Sequence, residues 1–417
     1  MDLRQYILEK TAAAQATLPV MAALSTDVKN KTLMAMADAL DAGCASILQA
    51  NQKDLAMHPD ATAALRRRLA LNDANVKSIA QSLRDIAALP DPVGSIESLG
   101  KRPLGFELQR MRVPIGVIGA IFESRPNVVV EIAGLILKSG NACVLRGGKE
   151  ALETNKAIVA VLQGALQSTK VPLVYLQFID ITDHDAVKVL CEDRDHVQLM
   201  IPRGGTTLIE AVRAAAKMPV LSHNKGICHV YVDDGADLDM ALKILVNAKA
   251  QNPSVCNSAE TFLIAASVAP RLLPPLIQQL DEKHVEVRGC GQTCKIVPHG
   301  TIPAAEEDWS TEYLDLIVSV KVVDSIDQAI AHIAKYSTHH SDAIVTNNAE
   351  HAERFVREVD SAAVLVNAST RLVDGGVFGL GAEVGISTDR TYDRGPMGVE
   401  ALTVRKYVVL GNGQIRE

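Results

Sequence analysis

Cys256 is the residue whose surroundings differ most from those of a packing cysteine. It lies in Asn252-Pro253-Ser254-Val255-Cys256-Asn257-Ser258, between an apolar helical pattern and the β-type run Thr261–Ile264. Polar neighbours of this kind are typical of a turn that surrounds a thiol with hydrogen-bond donors, whereas a cysteine in a core has apolar neighbours. A thiol near neutral pH is already a few per cent thiolate and is a strong nucleophile. The segment therefore predicts covalent catalysis through a thioester, with an inert cysteine as the alternative.

Two loops that combine glycines with basic residues predict an anion site. Arg146-Gly147-Gly148-Lys149 follows a buried strand and precedes a helix, and Arg203-Gly204-Gly205 follows another strand. Backbone N–H groups, a helix N-terminus and cationic side chains together suit a phosphate. Because both loops fall at the carboxyl ends of strands, they favour a dinucleotide site over loop geometry alone. Gly116 and Gly119 form only a GxxG, for which close helix–strand packing is the simpler interpretation.

Composition excludes several classes of function. The 417 residues are 48% hydrophobic and 22% charged, which is enough for two or three domains with sizeable cores. The net charge is −7 and the densest basic run is Arg66-Arg67-Arg68, so no nucleic-acid partner is expected. No apolar run reaches about 18 residues, so no membrane span is expected, and the first residues predict no signal peptide. Seven scattered cysteines favour a reducing, cytoplasmic compartment.

No metal site is expected from the cysteines and histidines. Cys290 and Cys294 have His284 and His299 nearby, but their spacing is not that of a zinc site and a second ligand pair is missing. The remaining histidines that stand out are interpreted as surface residues: His184, His339 and His340.

The periodicity of apolar residues predicts an α/β protein. Residues 1–89 have helical spacing and end at a proline- and glycine-bearing segment, 90–94. Strands and helices then alternate, which predicts βαβ units and a parallel sheet covered by helices. The strands expected in this part are 114–122, 142–146, 174–179, 197–201 and 229–233. A second α/β set begins after about residue 235, with strands expected at 316–322, 342–346 and 363–367.

Two other segments alternate between apolar and polar residues as half-exposed strands do. They are residues 105–113 and 401–410. Exposed strand edges of this kind need a partner. The pattern therefore predicts a ribbon that pairs with another subunit, and hence a homo-oligomer.

Long stretches of the chain resemble the γ-glutamyl phosphate reductase family, within the aldehyde dehydrogenase superfamily. The likeness covers essentially the whole chain and rests on eight segments: Arg112–Gly119, Glu123–Val128, Leu145–Glu150, Ile201–Gly205, Cys228–Asp233, Asn252–Asn257, Val366–Arg371 and Phe378–Glu383. The resemblance implies an aldehyde-dehydrogenase-like α/β fold in three parts. A Rossmann-like NADPH-binding domain would comprise residues 1–96, 113–234 and 373–399. An α/β catalytic domain would comprise 235–372, and an oligomerisation β-ribbon would comprise 97–112 and 400–417.

The resemblance also implies roles for individual residues. Cys256 falls on the nucleophile of the family, and Asn127 falls on the amide of the oxyanion hole. Arg146 and Lys149 fall on the adenosine-ribose loop. NAD-preferring relatives have an acid at the second position, whereas a lysine there offers a cation to a 2′-phosphate, so NADPH is the expected cofactor. Glu312 falls where relatives hold the nicotinamide ribose.

One departure from ordinary aldehyde dehydrogenases points to the reaction. Their general-base glutamate precedes a Gly-Gly-Lys segment, and the corresponding loop, Ser222-His223-Asn224-Lys225-Gly226, has no acid. An enzyme whose thioester exchanges with phosphate does not need to activate water. The resemblance therefore implies NADPH-dependent reduction of L-glutamyl 5-phosphate to L-glutamate 5-semialdehyde and phosphate, the second step of proline biosynthesis from glutamate. A hydrolytic, non-phosphorylating aldehyde dehydrogenase is the enzymatic alternative.

The substrate offers a phosphate, an α-carboxylate and an α-ammonium group to be recognised. Candidates for the two anionic groups are Arg125, Arg203, Lys225 and Arg371, and Glu383 is the candidate for the ammonium group. Ordinary surface charge is the alternative for each. A non-catalytic dinucleotide-binding scaffold, docking onto glutamate 5-kinase, is the hypothesis from a different class. A contact with that kinase is a further hypothesis for the enzyme.

Overall fold

The chain forms two compact units. The computed structural model describes residues 2–222, 225–390 and 393–416. The first unit contains residues 2–222, 379–385 and 397–416, and the second contains 225–378, 386–390 and 393–396. Each unit has its own hydrophobic core, built largely from Val, Leu, Ile and Ala. Among the described residues, none of the helices combines the length and apolar character that a membrane span requires.

The first unit begins with the helices that the sequence predicts. Six of them precede the first strand: α1 Leu3–Ala16, α2 Leu18–Ala22, α3 Thr26–Ala42, α4 Cys44–Met57, α5 Ala63–Leu69 and α6 Asp73–Ala88. The hydroxyl of Ser25 accepts the Val28 N–H at the start of α3. Asn72 and Asn75 exchange side-chain and backbone bonds in a capping box at the start of α6. Such caps satisfy N–H groups that have no partner inside the helix.

The remaining elements of the first unit form a ribbon and a parallel sheet. In chain order they are β1 Ile96–Lys101, β2 Glu107–Pro114, β3 Val117–Phe122, α7 Asn127–Lys138, β4 Ala142–Gly147, α8 Leu152–Leu166, β5 Leu176–Phe178, α9 Asp185–Glu192, β6 Leu199–Arg203 and α10 Thr206–Ala215. Strands β3 to β6 pair in parallel in the order β5-β4-β3-β6. The predicted βαβ arrangement is thus confirmed, and both glycine loops follow strands of this one sheet.

The second unit is a parallel seven-stranded sheet covered by helices. Its elements are β7 Cys228–Val232, α11 Leu238–Ala250, β8 Ala259–Ala265, α12 Ala269–Asp281, β9 Glu286–Gly289, α13 Gly291–Ile296, β10 Ile302–Pro303, β11 Ile317–Val323, α14 Ile326–Tyr336, β12 Ser341–Val345, α15 Ala349–Glu358, β13 Ala363–Val366, β14 Ile386–Ser387 and β15 Gly395–Pro396. The order in the sheet is β10-β9-β11-β8-β7-β12-β13, while β14 and β15 pair separately. The strands expected from the sequence in this region are confirmed.

The place of β7 differs from the sequence expectation. The sequence expectation places this strand in the first domain, which extends to residue 234, but the strand pairs with β8 and β12 in the second sheet. A buried apolar strand has the same pattern in either sheet, so the sequence indicated the strand without indicating its partners. The division into units falls after Ser222, and residues 386–390 and 393–396 belong to the second unit, although they lie within the segment expected to belong to the first. The three functional domains remain a prediction.

The two alternating segments pair with each other. Strand β16, Thr403–Leu410, runs antiparallel to β2 from Thr403 opposite Pro114 to Leu410 opposite Glu107, and β1 lies on the other side of β2. On β16 the side chains of Tyr407 and Val409 are 67% and 58% exposed. The ribbon itself is therefore confirmed, and its outer strand presents apolar side chains to solvent.

Candidate active site

Cys256 lies in the short connection between α11 and β8, which we call the Cys256 loop (residues 251–258). Its side chain is half-buried, so the thiol is neither enclosed in the core nor fully exposed. A buried ion pair joins the residues on either side of the loop: Lys249 Nζ lies 2.6 Å from Glu260 Oε2, and both side chains are fully buried. Burial raises the pKa of Glu260 to about 7, although the attraction of Lys249 opposes that rise. Burial likewise lowers the pKa of Lys249.

The backbone of Cys256 rests on the segment that leads into β7. A Cβ built on Gly226 would lie 2.0 Å from the Cys256 carbonyl oxygen, so only glycine fits against it without displacement. The Cys228 thiol donates to the same oxygen over 3.2 Å. Burial holds the pKa of Cys228 well above its usual value, so that thiol keeps its proton and acts as a donor. The Cys256 carbonyl oxygen is therefore held in place by contacts with Gly226 and with the Cys228 thiol.

His340 is the histidine that the sequence interpretation misplaced. It is fully buried rather than on the surface, with Nδ1 3.7 Å from the Cys228 sulfur and 2.8 Å from the Ser341 hydroxyl. The sequence gives no signal that His340 is buried, because its contact is with Cys228, which lies 112 positions away in the chain.

Glu312 connects the segment before β7 with the loop before β11. Its Oε1 accepts the Gly226 N–H over 2.6 Å. Burial raises the pKa of Glu312, while the Gly226 N–H and the charge of Lys225 lower it. Two residues further on, Leu314 has a left-handed backbone (φ 53°) and donates its N–H to Glu260 Oε1 over 3.4 Å. Gly226, Glu312 and the Lys249–Glu260 pair thus form one connected set of contacts around the Cys256 loop.

Arg371 lies in a 3₁₀ turn, Thr370–Leu372, that follows β13. Its Nε donates to Gln251 Oε1 over 2.8 Å, and its Nη1 donates to Asn257 Oδ1. Of the substrate-binding candidates, Lys225 is exposed and lies in the same unit as Arg371 and Cys256. The neighbouring residues 223 and 224, part of the loop that lacks a general base, lie outside the described residues.

In the first unit, Asn127 begins α7 directly after a turn at the end of β3. Ser124 in that turn has a left-handed backbone (φ 37°). Asn127 is half-buried, and its amide donates to Glu131 Oε1 over 2.9 Å. An amide NH₂ has two N–H donors, so this bond uses one of them and orients the group. Arg125 is exposed in the same turn.

The Arg146–Lys149 loop has polar groups that suit a bound nucleotide. Arg146 is 6% exposed, and its Nη2 donates to the Thr182 carbonyl over 3.2 Å, while its Nε is buried with no hydrogen-bond partner. A Cβ on Gly147 would lie 2.2 Å from Asn155 Nδ2, and neither amide atom of the buried Asn155 has a partner. Lys149 is exposed. Such unsatisfied buried groups are rare in native structures, so these atoms of Arg146 and Asn155 are candidates for contact with a bound group.

A carboxylate that sequence reasoning missed, Glu123 at the end of β3, contacts the Gly204-Gly205 loop. Glu123 Oε2 accepts the Gly205 N–H over 2.9 Å, at the N-cap of α10. A Cβ on Gly204 would lie 2.6 Å from Glu123 Cδ. The guanidinium of Arg203 packs on the backbone of Gly385, whose Cβ would lie 3.1 Å from Nη1, and Glu383 is half-buried nearby in sequence. Arg125, Arg203 and Glu383 thus belong to the first unit, whereas Lys225 and Arg371 belong to the second.

Comparison with known proteins gives concordant matches. The model of the aldehyde dehydrogenase family matches residues 5–299. A protein from Thermoanaerobacter pseudethanolicus named gamma-glutamyl phosphate reductase is 50% identical over 98% of this chain and 99% of its own length. One of the same name from Halothermothrix orenii is 47% identical, and the alignment covers the whole of both chains. The crystal structure of gamma-glutamyl phosphate reductase from Thermotoga maritima superimposes with a TM-score of 0.96 at 46% identity, covering 99% of this chain and 100% of the other.

Proposed function

The chain belongs to the aldehyde dehydrogenase family, and we propose that within it the protein reduces L-glutamyl 5-phosphate to L-glutamate 5-semialdehyde and phosphate. It is an enzyme of the oxidoreductase class that uses a nicotinamide dinucleotide, as members of this family do. The similarity to full-length relatives named gamma-glutamyl phosphate reductase supports the substrate and the place of the reaction in proline biosynthesis. The observation that carries the proposal is a half-buried thiol, Cys256, in a loop that Arg371 and Cys228 hold through Gln251, Asn257 and the Cys256 carbonyl.

The chemistry of the first step follows from the thiol. The Cys256 thiolate attacks the acyl carbon of the acyl phosphate, a carbon–sulfur bond forms, and the carbon–oxygen bond to phosphate breaks with release of phosphate. Asn127 and the Cys256 backbone N–H are the proposed donors to the oxyanion, and one such donor is typically worth about 2.7–4 kcal/mol. The product of this step is a thioester on Cys256. The neutral Cys228 thiol donates to the Cys256 carbonyl oxygen and so keeps the backbone of the nucleophile in place.

The expected cofactor is NADPH, which when bound supplies the hydride that reduces the thioester. Residues of the first unit fit a dinucleotide, because the buried Arg146 Nε and both amide atoms of the buried Asn155 have no protein partner and are available to its polar groups. Gly204 and Gly205 are proposed to contact the diphosphate, and Glu312 the nicotinamide ribose. Lys149 is exposed and cationic, which supports selection of the 2′-phosphate.

The substrate's charged groups have separate candidates. Arg125, Arg203 and Lys225 are proposed for the phosphate and the α-carboxylate, and Glu383 for the α-ammonium group. Arg203 and Glu383 are half-buried, so their charges are screened less by solvent than those of exposed residues.

The partners and location follow from the surface and the thiols. We propose a homo-oligomer formed through the ribbon, since the outer strand β16 presents exposed apolar side chains. Contact with glutamate 5-kinase would shorten the path of the unstable acyl phosphate. All seven cysteines are free thiols, which supports a reducing cytoplasm.

The decisive experiment uses the reverse reaction. Glutamate semialdehyde, NADP⁺ and phosphate are mixed with enzyme, and each component is omitted in turn while NADPH absorbance is followed. Cys256→Ala should abolish NADPH formation and leave NADPH binding, measured by fluorescence, unchanged. The matched control is Cys290→Ala, which also replaces a half-buried free thiol of the second unit and should keep full activity. Turnover without phosphate would instead establish the hydrolytic alternative, and turnover by Cys256→Ala would refute the nucleophile.

A further inference from the structure

The guanidinium of Arg371 bridges the two sides of the Cys256 loop. Its Nε bonds to Gln251, the first residue of the loop, over 2.8 Å, and its Nη1 bonds to Asn257, the residue directly after Cys256. The backbone of Arg371 is itself held, because its N–H donates to the Ser369 hydroxyl over 3.3 Å at the start of the 3₁₀ turn. Two loop residues six positions apart are therefore tied to one rigid, planar group.

Asn257 transmits this contact to the nucleophile. Its side chain is 5% exposed and accepts from Arg371 at Oδ1 while donating from Nδ2 to the Val373 carbonyl over 2.9 Å. Both ends of the amide are thus used, which leaves it a single orientation. Since Asn257 is covalently joined to Cys256, a fixed Asn257 restricts where the Cys256 backbone, and with it the sulfur, can lie.

Arg371 also interacts electrostatically with the thiol. Burial lowers the pKa of Arg371, and the negative charges of the Cys256 thiolate and Asp374 raise it. The attraction acts on both partners: a cation that is stabilised by a nearby thiolate stabilises that thiolate in return. Arg keeps its positive charge at every pH the protein meets, so this effect does not depend on the titration of the guanidinium.

We propose that Arg371 is a positioning residue for the nucleophile, which fixes the Cys256 loop and keeps a positive charge beside the thiolate, instead of binding the substrate's carboxylate or phosphate. Two of its three nitrogens already bond to protein groups on the loop. The inference rests on the proposed role of Cys256, and it reassigns a residue that the sequence placed among the substrate-binding candidates.

The test is the rate at which iodoacetamide alkylates Cys256, followed by peptide mass mapping from about pH 6 to pH 10. Arg371→Met should move the midpoint of the pH profile upward by about one unit and slow alkylation at pH 7 about tenfold. Arg371→Lys keeps the charge but loses the two-sided bridge, so it should recover part of the rate. The matched control is Arg354→Met, another second-unit guanidinium with two carboxylate partners, Asp327 and Glu358, which should leave the profile unchanged.

Steady-state kinetics distinguish the two roles of Arg371. A positioning residue predicts that Arg371→Met lowers kcat in proportion to the alkylation rate and leaves KM for the semialdehyde within about twofold. An unchanged alkylation profile with a large rise in KM would overturn the proposal in favour of substrate binding. If Arg371→Met fails to fold, the alkylation profile and KM of Arg371→Lys are compared with those of the wild type instead. Failure of the proposed function gives a different result: Cys256→Ala keeps its activity, while Arg371→Met still shifts the alkylation profile of Cys256.

Discussion

Replacing Lys249 with methionine should destabilise the second unit strongly, because it leaves a buried carboxylate without its partner. Lys249 and Glu260 are both fully buried with 2.6 Å between Nζ and Oε2. Removal of one partner from such a pair typically costs about 3–5 kcal/mol, since the remaining charge keeps its desolvation penalty and loses the attraction that offset it. Methionine retains most of the apolar stem of lysine, so lost packing contributes little. Against a typical total stability of about 5–15 kcal/mol, the loss is a large fraction.

The pH dependence of this loss has a defined sign. Burial raises the pKa of Glu260 from 4.5 to about 7 in the folded protein. A carboxyl with a raised folded pKa contributes stability that is fully present below its unfolded pKa and is lost as the pH rises through its folded pKa. Lys249 lowers the pKa of Glu260 in the wild type, so its removal raises that pKa further. In Lys249→Met, Glu260 is therefore neutral and tolerated at about pH 5, and the folded state loses stability as the pH rises towards the pKa of the unpaired carboxyl. We expect the destabilisation relative to wild type to be larger at higher pH.

The single tryptophan provides the assay. Trp309 is 6% exposed and belongs to the second unit, so its fluorescence reports on unfolding of that unit. Urea titrations of wild type, Lys249→Met and the double variant Lys249→Met/Glu260→Leu give the coupling energy of the pair. The double variant should recover most of the loss, because no unpaired charge remains. A loss below about 1 kcal/mol in the single variant, or a double variant no more stable than the single, would refute the reasoning.

Three further predictions follow from local geometry. Gly226→Ala places a Cβ 2.0 Å from the Cys256 carbonyl oxygen, so the backbone of Cys256 must shift. Because a shift of about 1 Å in a reacting group can cost about 100-fold in rate, kcat should fall by at least about tenfold. The control is Gly235→Ala, whose Cβ meets no atom within 4 Å and which should keep wild-type kcat. Lys149→Glu should weaken NADPH binding at least tenfold in a fluorescence titration and improve NADH binding, and equal affinities in both proteins would contradict 2′-phosphate recognition. Tyr407→Lys combined with Val409→Glu puts charge on the exposed face of β16 and should lower the molar mass in solution measured by light scattering, whereas an unchanged mass would exclude this strand from the subunit interface.

The strands and helices were largely predictable because their signals are local. Period-two alternation identified β2 and β16, and runs of apolar residues bounded by glycine or proline identified the parallel strands. Even so, the pattern of β7 did not indicate which sheet it joins, since burial on both faces is common to all parallel strands. The pairing of β2 with β16 joins segments about 300 residues apart, and no local pattern encodes such a partner.

For the candidate site, the sequence by itself determined the chemistry, and the tertiary structure decided what surrounds it. A cysteine among polar turn residues and two basic glycine loops indicated a nucleophile and a dinucleotide, because residue type and turn propensity are properties of short segments. The ion pair beneath the loop, the contact of Gly226 with Cys256, the Glu123 carboxylate at the Gly205 N–H and the bridge made by Arg371 had no such signal. Each depends on a distance between residues remote in sequence or on the exclusion of water from a charge, and only the folded chain sets those two quantities.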